Sequence, residues 1–493
     1  MKRILTLVIA LLTANLIAQE IGNRALLQED FYLDKEFIQS LSGDSGQKEG
    51  EVTVRDFDDK LQKEFRAILE DEFNKVKVKG ISVAVIAKEG IWRSAVGISS
   101  YKDSLDVDMV FGMGSVTKSV TAALILKLED KGILSIQDSI GKWLPPRRFV
   151  DGKITIRQLL NHTSGIYNIT ENPDFVREGY ENPERIWKPE EVLDSFLKEP
   201  YFEPGTDWHY SNSNYILAGM IIEKATGGVY HKLVREKLLH PYGLDSLYLK
   251  PFESNSLKVA HFWADITNSG FPVDITGLGY ELKAIFSGAW AAGGYMSRPV
   301  DAAMWMRTLV AGSIFSKRAY RELLDGVTKG DGKYYGLGVG YYEDSLGRKV
   351  VIGHDGYIGY VTKAYHFPQL NLTVAVQSND AMAPGSTMRN IIERIVLAYT
   401  GSLNKLGNES ILGLHALYPN PAGDIVHLDF GSAVNGYLKV YDINGHRVKS
   451  MPLHGAAEME MKVADLVPGL YFLKVNDNTG KILMSAKFIK GEK

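Results

Sequence analysis

The stretch that most constrains this chain is Phe111-Gly-Met-Gly-Ser-Val-Thr-Lys118, together with the apolar run behind it. Gly112 and Gly114 make a Gly-x-Gly turn. Residues 116–131 then read as a helix rich in Ala and Leu, with Gly132 placed as its C-cap. A helix of this kind is buried, so the rest of the chain has to be arranged around it. Ser115 falls at its N-terminus, where unpaired backbone N–H groups and the helix dipole favour negative charge. Lys118 lies three residues on, one turn along the same face. A serine is a poor nucleophile unless a nearby base takes its proton. A lysine partly buried against an apolar helix can be that base, because desolvation lowers its pKa.

The Ser-x-x-Lys spacing by itself proves little. It recurs at Ser45/Lys48, Ser99/Lys102, Ser139/Lys142, Ser195/Lys198 and Ser402/Lys405, and the ordinary reading of such a pair is two solvated side chains. Context sets Ser115 apart. Glycines precede it, a long buried-type helix follows, and no acidic residue sits within the turn.

The chain has 493 residues, enough for about two to four domains. It is 45% hydrophobic and 23% charged, the balance of a packed globular protein. A formal net charge of −3 gives no electrostatic case for nucleic-acid binding. Residues 1–18 run from a basic Met-Lys-Arg start through an apolar stretch to a small residue before Gln19, the pattern of a secretory signal peptide. No later segment is long and apolar enough to span a bilayer, so no transmembrane segment is expected in the mature chain. With no cysteine, disulfides, thiol chemistry and Cys-ligated metal are excluded.

Residues 19–52 are polar and read as a loose extension. A helix is expected from a cap at Asp56 to about residue 76, then two strands over 80–88 and 91–99. Helices are expected over 190–197, behind Pro189, and over 215–226, 300–310 and 390–399. Late strands are expected over 335–341, 349–353, 360–367 and 372–378. His162, in Asn161-His-Thr-Ser-Gly165, could be a base but reads better as a turn histidine. Residues 401–416 lose periodicity and read as a linker. Six short alternating segments follow (424–430, 436–442, 446–451, 458–463, 469–475 and 482–489), with Asn444-Gly445 as a hairpin signal. They predict a small all-β sandwich.

At this point three motifs in order carry a resemblance. Ser115-Val-Thr-Lys118, Tyr210-Ser-Asn212 and His354-Asp-Gly356 resemble the nucleophile, Tyr-x-Asn and edge-strand motifs of the serine β-lactamase-like hydrolases. That family takes in class C β-lactamases, D-alanyl-D-alanine carboxypeptidases and related esterases. Leu159-Leu-Asn-His-Thr-Ser-Gly165, Pro204-Gly205 and Ala292-Gly-Gly294 agree with it. The likeness covers residues 56–399. The tail, with Tyr418-Pro-Asn-Pro421, Val440-Tyr-Asp442, Asn444-Gly445 and Pro468-Gly-Leu-Tyr471, resembles the C-terminal sorting domain of the type IX secretion system of Bacteroidetes-type bacteria. A carbohydrate-binding or adhesive module is the alternative for the tail, and no exposed aromatic row favours it.

The resemblance implies an α/β (α+β) domain over 53–400. In it an antiparallel sheet flanked by helices meets an all-α region, with the site between them. A secretion sorting domain would occupy 417–493. Carried over, Ser115 is the nucleophile, Lys118 and Tyr210 share the proton transfers with the principal base left open, and Asn212 holds the substrate amide or the Lys118 ammonium. The backbone N–H groups of Ser115 and Tyr357 would form an oxyanion hole beside Gly356. No metal or other cofactor is implied.

His354 stands where lysine is usual, and Asp355 stands where the family has a hydroxyl that helps hold a substrate carboxylate. A carboxylate there would repel one, unless Asp355 pairs with His354 or points away. The expected function is therefore a secreted serine hydrolase that cleaves an ester or amide through an acyl-enzyme on Ser115. The alternatives are a D-alanyl-D-alanine carboxypeptidase or β-lactamase, and, of another class, an inactive binding module. The expected partners are a small-molecule or peptide substrate and the secretion machinery. The expected route runs through the periplasm of a Gram-negative cell to the outside or the cell surface.

Overall fold

The computed structural model describes residues 57–265, 269–311, 314–330, 332–343, 347–406, 416–418, 422–442, 447–477 and 482–491. The expected signal peptide, the extension, the cap at Asp56, Pro419-Asn-Pro421 and the Asn444-Gly445 turn lie outside the described residues. The chain forms two compact units, divided at residue 397.

In the first unit, α1 (Asp59–Asn74) starts at Asp58, whose carboxylate accepts from the N–H groups of Lys60 and Leu61. It buries Leu61, Phe65, Ile68 and Leu69. The strands are β1 (Gly80–Ala87), β2 (Gly90–Gly97), β3 (Val327–Gly330), β4 (Lys333–Tyr335), β5 (Gly340–Glu343), β6 (Lys349–Ile358), β7 (Tyr360–Phe367) and β8 (Leu372–Ser378). They make one antiparallel sheet in the order β2-β1-β8-β7-β6-β5-β4-β3. The first hairpin thus joins strands contributed from the far end of the unit. β1, β7 and β8 are buried along their whole length, and β1 accordingly reads as a near-continuous apolar run, whereas β7 buries Thr362, Lys363 and His366 among its apolar residues. The strand expected over 335–341 is two strands joined by a turn at 336–339, where Gly336 N–H donates to Val339 O.

The all-α region is built on α2 (Thr117–Asp130) and α5 (Asn212–Thr226). Both are buried on nearly every face, which is why their sequences show no polar stripe. Around them lie α3 (Pro173–Glu181), α4 (Pro189–Phe196) and α6 (Lys283–Gly293). α7 (Pro299–Val310) packs on β1, β7 and β8. α8 runs over Gly385–Leu406, longer than expected at both ends, so residues 401–406 of the expected linker are helical. No helix among the described residues is long and apolar enough to cross a membrane.

In the second unit, β9 (Ala416–Tyr418), β10 (Ile425–Tyr441), β11 (Arg447–Lys462), β12 (Gly469–Asn476) and β13 (Ile482–Lys490) form one curled sheet. β10 and β11 each replace two of the expected short strands. The interruptions read as turns are register slips within continuous strands, one of them beside Gly436 at φ +147°. Val426, Leu438, Val440, Met461, Leu473 and Phe488 are among its buried core.

Candidate active site

Three segments far apart in sequence meet at the start of α2. Residues Gly114–Val116 form one 3-10 turn that runs into the helix, with Ser115 half-buried in it and Lys118 fully buried just beyond. Lys118 Nζ lies 3.0 Å from Ser115 Oγ, 2.6 Å from Asn212 Oδ1 and 2.9 Å from the Ala292 carbonyl oxygen. Tyr210, buried just before α5, faces the same amine with its ring, 4.8 Å from Nζ to the centroid. The Tyr215 ring stands at 5.4 Å.

The Ala292 carbonyl gets there through a break in α6. Trp290 adopts φ 39° and ψ −119°, a conformation that costs on the order of 1–3 kcal/mol for a residue with a side chain. Its buried ring is held against Tyr230 and Gly219, where a Cβ would come within 2.6 Å of the indole. The break also lets Thr121 Oγ1 donate to the Ala291 carbonyl at 2.6 Å.

β6 closes the site; it is not the edge strand the motif suggested but lies between β7 and β5, and its residues 354–358, beyond the pairing with β5, pair with β7. A Cβ at Gly356 would lie 1.8 Å from Met113 O and 3.2 Å from Ser115 N, and one at Gly114 would lie 2.5 Å from Tyr357 N. Only glycine at both positions lets the strand lie against the serine turn. This close approach brings the backbone of Tyr357 beside that of Ser115. The Tyr357 side chain is exposed on the cleft.

His354 is buried. Desolvation, and then the charge of Lys118, push its pKa down to about 4, so it is neutral near pH 7. Its Nδ1 donates to the Asp355 backbone carbonyl, which leaves Nε2 to accept from Tyr335 Oη at 2.9 Å. The Asp355 carboxylate pairs instead with Lys363 and accepts from Tyr365 Oη, both on β7. Lys363 is the cross-strand partner of Asp355 and is only 6% exposed.

His162 is also buried and neutral, its pKa held well below the ordinary value by burial and then by Lys118. Its Nδ1 accepts from the Ser211 N–H at 3.1 Å, and its ring lies 4.3 Å from that of Tyr210, centroid to centroid. It is a turn histidine, at φ +65°, that supports the tyrosine from behind.

A cleft of about 560 Å³ opens over Ser115 and Asn212. Residues 165–188 contribute Ile169, Phe175 and Tyr180 to its lining, and residues 251–287 contribute Ala284 and Ile285. Lys363 and Arg389 also line it, and neither was singled out in the sequence. For Lys363 a signal existed. A hairpin turning at Gly359 pairs residue 355 with residue 363, and Gly359 lies between β6 and β7.

A buried lysine bonded to a serine at a helix N-terminus, walled by a strand of an antiparallel sheet, defines a hydrolase of the serine β-lactamase fold. The chain belongs to the β-lactamase family, which it matches over residues 61–397. Residues 416–490 match the secretion system C-terminal sorting domain, and the protein is accordingly exported to the outside or the cell surface.

Among its relatives is penicillin-binding protein 4* of Bacillus subtilis, 27% identical over 316 residues, which are 60% of this chain and 67% of that one. Esterase EstB of Burkholderia gladioli is 31% identical over 178 residues, covering 33% of this chain and 45% of the esterase. A D-stereospecific amidohydrolase from Streptomyces sp. superposes with a TM-score of 0.60 at 30% identity, over 67% of this chain and 97% of its own.

Proposed function

We propose that this protein is an exported serine hydrolase that cleaves an ester or amide bond through an acyl-enzyme on Ser115. The observation that carries the proposal is the set of three contacts to the buried Lys118 amine. In the neutral form that takes the serine proton, Lys118 has two N–H groups and one lone pair. Asn212 Oδ1 and the Ala292 carbonyl can only accept, so both N–H groups go to them and the lone pair faces the Ser115 hydroxyl. Ser115 Oγ attacks the substrate carbonyl carbon as its proton passes to Lys118 Nζ. The oxyanion lies between the backbone N–H groups of Ser115 and Tyr357; removing one such donor typically costs ~3 kcal/mol in the transition state. Collapse of the intermediate breaks the bond to the leaving group. That group leaves with a proton delivered from the Lys118–Tyr210 pair. A water molecule then repeats the sequence on the acyl-enzyme and frees Ser115.

We place the substrate among esters and amides with no carboxylate beside the scissile bond. His354 is neutral at working pH, and the charge of Lys363 is met by Asp355. The esterase and the amidohydrolase among the relatives agree with this reading. Peptidoglycan carboxypeptidase or β-lactamase activity is the second reading. The Asp355–Lys363 pair favours it, because the carboxylate no longer presents an uncompensated charge to an anionic substrate. We also infer a leader over 1–18, passage through the periplasm, and a tail over 417–493 that addresses the outer-membrane step.

The test is intact-mass measurement after mixing with a penicillin, and separately with a neutral p-nitrophenyl ester, beside a Ser115→Ala control. Release of p-nitrophenol that is lost in the control, with the penicillin intact and no adduct, is the expected result. A penicillin adduct or rapid penicillin consumption, lost in the control, moves the assignment to the second reading. Reaction that survives Ser115→Ala defeats both.

A further inference from the structure

The Lys118 argument depends on which way the Asn212 amide points. If the amide were flipped, Nδ2 would face Lys118, donate to its lone pair and compete with the Ser115 hydroxyl. Nothing in Asn212 itself chooses between the two orientations, so the choice is made by its surroundings.

Those surroundings form a chain of forced donors and acceptors. The Asn212 backbone N–H, which can only donate, goes to Asn168 Oδ1 at 3.0 Å. That fixes the Asn168 amide, whose Nδ2 donates on its other side to Glu171 Oε1 at 3.1 Å. Asn168 Oδ1 then draws Asn212 Nδ2 to 3.2 Å, with Thr170 Oγ1 as a second acceptor at 3.0 Å. Asn212 Oδ1 is left facing Lys118. A second strand of the chain ties the same residues together. The Asn168 backbone N–H donates to Tyr201 Oη at 3.1 Å, and Tyr201 Oη donates to Glu171 Oε2 at 2.6 Å. Asn168 is fully buried, while Glu171 reaches the surface beside His209.

We propose that Asn168, oriented by Glu171, is a positioning residue for the proton transfer: it locks the Asn212 amide so that Lys118 keeps its lone pair for Ser115. Asn168 touches neither Ser115 nor Lys118 and acts only through Asn212. The inference rests on the reading of Lys118 as the base.

The test exchanges donor and acceptor along the chain. Asn168→Leu keeps the branched shape and removes every side-chain hydrogen bond to Asn212, Thr170 and Glu171. In Asn168→Asp/Glu171→Gln, the glutamine amide donates to one Asp oxygen and the other oxygen still accepts from Asn212. The readout on the full chain is kcat/KM for a neutral p-nitrophenyl ester against pH. The other titratable groups facing Lys118 are His162, His354, Tyr210 and Tyr215, and burial keeps both histidines neutral well below pH 6.5.

Asn168→Leu is expected to lose roughly tenfold to a hundredfold at every pH, the scale on which orienting partners of functional groups act. The double variant is expected to recover most of that loss at high pH. Its acid limb should move to higher pH, because a carboxylate nearer Lys118 favours the ammonium. A merely structural role moves stability but not that limb. Wild-type kcat/KM in Asn168→Leu overturns the proposal, and so does a double variant no better than it at any pH. Ester turnover that persists in Ser115→Ala would instead locate the failure in the underlying reading.

Discussion

Asp355 and Lys363 face each other across β6 and β7, in a part of the cleft only partly open to solvent. Removing one partner strands the other charge. Lys363→Met should therefore lower stability by roughly 2–4 kcal/mol, read as a fall in the urea midpoint, while Asp355→Asn/Lys363→Met should restore most of it. The buried histidines set a pH dependence. His354 and His366 have folded pKa values pushed down to about 4 and about 3 by burial, from an ordinary value of 6.5. Between pH 6.5 and those values the unfolded chain binds protons that the folded chain refuses. Stability is present above pH 6.5 and falls as the pH drops, on the order of 3 kcal/mol for His354 by pH 4. Melting temperatures from pH 7 to pH 4.5 should show the loss, and His366→Gln should show less of it.

At the scale of elements, the site depends on the close approach of β6 to the turn that starts α2. Gly356→Ala would drive a methyl group into Met113 O and displace the strand. Acylation by a neutral ester should fall roughly 100-fold or more, as when an oxyanion donor is lost, with the far-UV spectrum retained. The helices of this unit were legible because they carry their own start and stop signals. Pro189 and Pro299 open α4 and α7, and Gly227, at φ +68°, closes α5. The break at Trp290 was not legible. A tryptophan takes that conformation only because the packing around its ring over-determines it, and no local signal announces this.

For the whole molecule, each unit has its own buried core. A chain ending after Leu406 should therefore keep ester turnover within about twofold of the full chain. Calorimetry of the full chain should resolve a second transition that the shortened chain lacks. The tail was legible as β structure from its alternation, but its long strands were not. A bulge and a turn use the same residue types, and only cross-strand pairing tells them apart.

The sequence by itself determined which residues could do chemistry. A serine and a lysine one turn apart on a buried helix, a Tyr-x-Asn motif and a glycine-bearing strand are local patterns, and local patterns survive in one dimension. The tertiary structure alone decided what those residues face. Whether Asp355 meets His354 or Lys363, which way the Asn212 amide points, and that a backbone carbonyl from α6 completes the shell of Lys118 all depend on contacts between segments 42 to 174 residues apart or across a hairpin. Hydrogen bonds and ion pairs are decided by distances of a few tenths of an ångström, which only the packed chain fixes.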